Sequence, residues 1–211
     1  MKFPNVSEEK KLWRKGFEWV AGLDEAGRGP LAGPVVAAAV MLRQIPNYKS
    51  QITKINDSKK LSEKQREFFY EKLISDKDIV FGVGIVSEKV IDKINILEAS
   101  KLAMKKAYSN VLKNNRVNFL LIDGNFRLDT NIPQKSIIKG DAKVFSIAAA
   151  SIIAKVTRDR LMQKMHKKFP QYEFAKHKGY GTALHLAHLK TFGPCKIHRK
   201  TFWPVSGIAK I

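Results

Sequence analysis

Negative charge is scarce in this chain: 19 aspartates and glutamates stand against 39 lysines and arginines, a formal net charge of +20. So large an excess points to a polyanionic partner, held through counterion release. Cysteine is almost missing. Cys195 stands alone, which excludes a disulfide within the chain and fits a reducing compartment; nothing beside it resembles a catalytic dyad. Long apolar runs are missing too. The longest, Ala32 to Leu42, contains Pro34 and is too short to span a bilayer. The start, Met1-Lys2-Phe3-Pro4, runs quickly into charge and does not read as a signal peptide. The expectation is a cytoplasmic chain with no membrane partner. The five histidines, His166, His177, His185, His188 and His198, show no zinc spacing.

What is present fits one α/β domain over residues 1–211, since 44% hydrophobic content supports a sizeable core. Residues 1–15 read as a charged leader anchored by Leu12 and Trp13, and residues 170–211 as a helical C-terminal subregion. Phe17 to Leu23 is rich in strand formers and predicts a strand ending at Asp24; Pro34 to Leu42, apolar on both faces, predicts a central strand antiparallel to it. Ser62 with Gln65 is a capping-box signature opening a helix through about Ile74. A third strand is expected over Asp78 to Val86. Helical periodicity then runs from Ser87 to Asn114 with a break near Asn95.

Val117 to Ile122 is a further apolar strand and ends in Asp123; Ser136 to Ile138 predicts a short strand leading to Asp141 at the start of a helix from Ala142 to Phe169. A right-handed crossover places the Val117 strand parallel to the first, bringing Asp123 beside Asp24. Glu25 follows Asp24 directly, and the pair shares a ligand only if the strand ends there. Taken alone, Asp24-Glu25 also fits a solvated acidic turn, and Asp141 a helix N-cap. Asp24, Glu25, Asp123 and Asp141 together repel one another unless divalent cations are bound. Hard oxygen donors of this kind suit magnesium or manganese, as two ions roughly 3.5–4 Å apart in a two-metal phosphodiester hydrolase. Gly27-Arg28-Gly29 exposes backbone N–H groups to phosphate or sugar oxygens. Tyr180, between two glycines, offers a ring for stacking or closes over the core. Asp159 reads as a partner in helix-surface ion pairs.

Six blocks in register, Gly22–Pro34, Asp57–Ser62, Ile122–Asn125, Lys139–Lys143, Ser146–Arg160 and His177–Thr182, resemble ribonuclease HII, the bacterial type 2 ribonuclease H. The resemblance runs from about Trp13 to Pro204. It implies a ribonuclease H-like fold, a mixed five-stranded sheet flanked by helices with a small helical C-terminal part. It implies hydrolysis of the RNA strand of RNA–DNA hybrids and incision of DNA duplexes 5′ of embedded ribonucleotides, leaving 3′-hydroxyl and 5′-phosphate ends. A monomer is expected. Asp24, Glu25, Asp123 and Asp141 match the family's metal-binding acids. Gly27, Arg28 and Gly29 match the segment that reads the ribose 2′-hydroxyl, Tyr180 the aromatic stacked on the following deoxyribose, and Lys59 and Lys60 a phosphate-contacting pair. The competing readings are a basic nucleic-acid-binding protein without catalysis and another two-metal nuclease of the same superfamily. Carboxylates gathered against phosphate argue against the first, and a ribose-reading loop against the second.

Overall fold

A computed structural model describes residues 3–43, 55, 58, 61–113 and 116–208. Helix α1 (Ser7–Trp13) precedes strands β1 (Trp19–Ala26) and β2 (Val35–Arg43), helix α2 (Glu63–Ser75), strand β3 (Ile79–Val86), helix α3 (Glu88–Leu112) and strands β4 (Phe119–Asp123) and β5 (Gln134–Ile137). The long helix α4 (Phe145–Lys168) leads to α5 (Phe174–His177), α6 (Ala183–Phe192) and α7 (Val205–Ile208). The strands form one mixed sheet in the order β3-β2-β1-β4-β5. β1 runs antiparallel to β2 and parallel to β4, as the crossover argument requires.

Pleat alternation divides the sheet's side chains between two cores. Val20, Val40 and Leu121 pack with α1, α2 and α4 on one face, while Ala21, Leu23, Met41 and Leu120 pack with α3 on the other. Leu12 and Trp13 are buried in the first of these cores, so the leader is docked on the sheet. The capping box at Ser62 forms in full. Asn95 breaks α3 with φ 65° and ψ 170°, and its Oδ1 caps the second half by accepting from Leu97 N and Glu98 N. Among the described residues no helix is long and apolar enough to cross a membrane.

Three boundaries differ from expectation. β1 starts at Trp19 and continues past Asp24 and Glu25 to Ala26, because β2 offers pairing partners as far as Val36. The short strand covers Gln134–Ile137 instead of residues 136–138. Helix α4 starts at Phe145, three residues later than Ala142: Gly140–Ala142 forms a 3-10 turn, and Val144 is extended in a bridge to Asn5. Val144 has no side chain able to cap α4. The cap comes from α1, where the buried Glu9 accepts the Ser146 N–H at 2.9 Å.

The small residues at the start of α4 bring it close to the sheet. A Cβ at Gly22 would lie 2.4 Å from the backbone carbon of Ser146 and 2.5 Å from Ile147 N. No flexible side chain can yield there. Gly22→Ala is therefore expected to cost at least about 2 kcal/mol, or about 4–8 °C in Tm. A melting curve within a degree of the parent's contradicts this account of the packing.

Candidate active site

The sheet register assembles the acids. Gly22 and Asp24 project from the same face of β1, toward α4, and Gly22 is opposite Ser146. Two residues further along the strand and five along the helix are similar distances, since strands rise about 3.3 Å and helices 1.5 Å per residue. Asp24 accordingly meets Ser151, whose hydroxyl hydrogen-bonds its carboxylate. Leu23 pairs with Ile122 across the parallel ladder, so Asp123 follows beside Asp24, on the face that Leu121 shares with α4. Asp141 arrives on the 3-10 turn, which is fixed by the Gly140 N–H donating to Asp123 Oδ1 at 2.6 Å. Asp141 is not an N-cap, because three residues separate it from Phe145.

Asp24, Asp123 and Asp141 each offer a carboxylate oxygen within 4.8 Å of the others'. Burial, followed by the charges of Glu25 and Asp123, pushes the Asp24 carboxyl well above the usual carboxylate range; the Ser151 hydrogen bond opposes this and Asp141 adds to it. Crowded hard oxygens of one charge fit a divalent cation, which relieves that repulsion. Glu25 is not among the three converging acids. Its Cβ leaves the other side of a strand that has not ended, and its Oε1 is 3.4 Å from Arg28 Nη1. Its charge still reaches Asp24.

A second cluster adjoins this one. The carbonyls of Gly27, Arg28 and Gly33 accept from the three nitrogens of Arg199 at 2.6, 2.8 and 3.0 Å. Those of Ala32, Pro34 and Lys178 accept from Arg158 at 3.0–3.1 Å. Gly27, at φ +100°, has no room for a Cβ against the Arg158 side chain. The amides of Gly27, Arg28 and Gly29 donate to no acceptor among the described residues. Leu31 N–H donates to Gly179 O, which ties this loop to the one carrying Tyr180. Tyr180 is 41% exposed, so it does not close over the core. Lys155 and Arg158 lie 5.8 and 5.7 Å from its ring centre. Lys59 and Lys60 lie outside the described residues. Ser58 of the same motif is buried and hydrogen-bonded to Ser151 at 2.8 Å, so Ser58 is tied to the helix that supports Asp24. Asp159 is paired with Lys155 at 2.6 Å, but the pair is largely buried instead of lying on the helix surface.

The ribonuclease HII family matches residues 21–205. The chain belongs to the ribonuclease HII family. It is 54% identical over 197 residues to the ribonuclease HII of Chlamydia caviae, covering 93% of this chain and 90% of that one. It is 56% identical over 194 residues to that of Acetivibrio thermocellus, covering 92% and 73%. Among solved structures, ribonuclease H2 of Pyrococcus horikoshii superposes with a TM-score of 0.68 at 28% identity, over 90% of this chain and 96% of that one. By family, then, the chain is a type 2 ribonuclease H, an endonuclease.

Ser151, Arg158 and Arg199 were not singled out by sequence reasoning. The two arginines look like ordinary members of a basic chain, and nothing in the order of residues says that they are buried. His185 and His198 are buried as well. Cys195 N–H donates to His198 Nδ1 at 2.9 Å, so the His198 proton sits on Nε2, 3.0 Å from His185 Nε2; His185 then donates from Nδ1 to Tyr180 O at 2.9 Å. This relay needs both rings neutral. Burial pushes both imidazoles down to about 4 from the ordinary 6.5. Below 6.5 the unfolded chain binds protons that the folded chain refuses, so this contribution to stability falls as pH drops from 6.5 toward 4 and levels off below. Asp24 and Glu9, raised by burial, act with the opposite sign. The His185 share is thus the difference in Tm slope between the parent and His185→Gln. Equal slopes across that window contradict the neutral pair.

Proposed function

We propose that the protein cuts the RNA strand of RNA–DNA hybrids and incises DNA duplexes on the 5′ side of an embedded ribonucleotide, with Asp24, Glu25, Asp123 and Asp141 as its metal-binding acids. The observation that carries this reading is the convergence of three carboxylates from β1, β4 and the turn after β5 beside a loop with three unengaged amides. Magnesium or manganese ions held there supply Lewis acidity and neutralise charge on the reacting phosphate. Asp24 and Asp123 hold their oxygens in place before substrate arrives, through the Ser151 and Gly140 hydrogen bonds, and Asp141 follows on the turn that the Gly140 bond fixes. Glu25, the fourth acid of this proposal, follows Asp24 directly in the chain, and its charge acts on the Asp24 carboxyl. In the reaction a water oxygen bonds to phosphorus and the P–O3′ bond breaks, with a proton ending on O3′. The products are a 3′-hydroxyl and a 5′-phosphate.

Gly27, Arg28 and Gly29 read the ribose. A 2′-hydroxyl is the group that tells RNA from DNA at one sugar, and a loop whose amides lack partners offers donors to it. Gly29 has nothing within 4 Å of where a Cβ would stand, so a sugar edge can come close. Tyr180 supplies the ring for the next deoxyribose, and Lys59 and Lys60 the contacts to phosphate. From Ser151, which touches Asp24, to Arg158, which touches the loop, α4 advances about 10 Å. That spacing suits one enzyme surface that reads one sugar and cuts at its neighbouring phosphate.

The deciding assay is incision of a duplex carrying one ribonucleotide, with the cut mapped. Asp123→Asn is expected to slow incision at least about 100-fold, while binding without metal stays within about threefold, since a lost carboxylate weakens no phosphate contact. If binding falls as far as incision, Asp123 is not a metal ligand. Tyr180→Ala is expected to slow single-ribonucleotide incision by about tenfold or more, from the loss of one stacked contact. An unchanged rate removes Tyr180 from the substrate surface.

A further inference from the structure

We infer that Arg199 is the positioning residue for ribose discrimination: it fixes the backbone of the Gly27–Gly29 loop so that the loop's amides face the sugar. The inference rests on the proposed reading of that loop and goes beyond it by naming what holds the loop in a discriminating shape. A glycine-rich loop is the most pliable kind of backbone, and left to itself it would adapt to either sugar. The structure removes that freedom from behind. Arg199 is fully buried, and its planar guanidinium takes the carbonyls of Gly27, Arg28 and Gly33 with all three of its nitrogens. With two successive carbonyls turned inward to one cation, the peptide planes that carry the Arg28 and Gly29 N–H groups are set. These are amides without a partner among the described residues.

The arginine is itself held. Its backbone N–H donates to Leu31 O at 2.8 Å, and Gly33 N–H donates to Ile197 O at 2.8 Å, so the segment around His198 lies against the loop as a short bridge between Ala32 and His198. The Phe202 ring lies 4.9 Å from the guanidinium carbon. Lys200 N–H, Thr201 N–H and the Thr201 hydroxyl all donate to the Asp92 carboxylate of α3, which anchors the segment to the opposite helix. Neither Arg199 nor Arg158 has a carboxylate within ion-pair distance among the described residues. A buried guanidinium whose hydrogen bonds among the described residues all go to carbonyls serves to orient those carbonyls, because an apolar residue would fill the space without the desolvation cost. Lysine cannot replace it. A lysine ammonium lacks the rigid fork that spans three acceptors.

The test is a ratio. Affinity is measured without divalent metal for a duplex with one ribonucleotide and for the same duplex in all-DNA form, using the parent, Arg199→Lys and Phe202→Leu. Phe202→Leu leaves the guanidinium in place and removes the ring beside it, so it remains informative if Arg199→Lys does not fold. The parent is expected to prefer the ribonucleotide duplex. Arg199→Lys should reduce that preference by about tenfold with little change on plain DNA, as expected when a hydrogen-bonded charge loses its geometry. Phe202→Leu should reduce it by about two- to threefold. A purely structural role would lower both affinities in proportion to the folded fraction and leave the ratio intact, and that result overturns the assignment. A parent with no preference overturns the ribose reading itself. A parent whose preference survives in both variants overturns only the role of Arg199.

Discussion

The close contact between α4 and β1 at Gly22 is what the rest of the molecule depends on. It lets the helix run along the sheet at backbone distance, and its successive turns then meet different parts of the site. Ser146 lies over Gly22, Ser151 bonds to Asp24, Lys155 and Arg158 flank Tyr180, and Arg158 holds the loop after β1. A side chain at Gly22 would lift the helix and separate all of these together.

The same helix joins two kinds of chemistry that are difficult to combine. The acids need burial and mutual proximity, which raises the Asp24 carboxyl and crowds like charge that a divalent cation would relieve. On the proposed reading the Gly27–Gly29 loop needs its amides left without an internal partner, which is costly for buried backbone. Two buried arginines reconcile this second demand by taking the loop's carbonyls. Their positive charge, set under the surface proposed to meet phosphate, also works in the direction of the chain's overall excess of 20 positive charges.

Much of this was legible in the residues. The strand pairing, the parallel crossover, the capping box at Ser62 and the break at Asn95 each follow from short-range rules that the structure obeys. Asp24, Asp123 and Asp141 could be grouped because the ends of parallel neighbouring strands meet at one edge. Asp141 was misread in its local setting: a helix start at Ala142 agrees with propensity, but the extended Val144 pairs with Asn5 and the cap is borrowed from Glu9, 137 positions away. Glu25 was placed by a strand end that the pairing with β2 carries two residues further.

The sequence by itself determined the elements, the acids and the family, because hydrophobic period, turn chemistry and motif spacing are local properties. Only the tertiary structure decided which basic residues are buried and what they hold. Arg158 and Arg199 look no different in the chain from the lysines around them. Their meaning comes from carbonyls more than 120 residues away for Arg158 at Ala32 and Pro34, and more than 160 away for Arg199. A guanidinium's role is set by the acceptors folded around it, and no local pattern of residues encodes that.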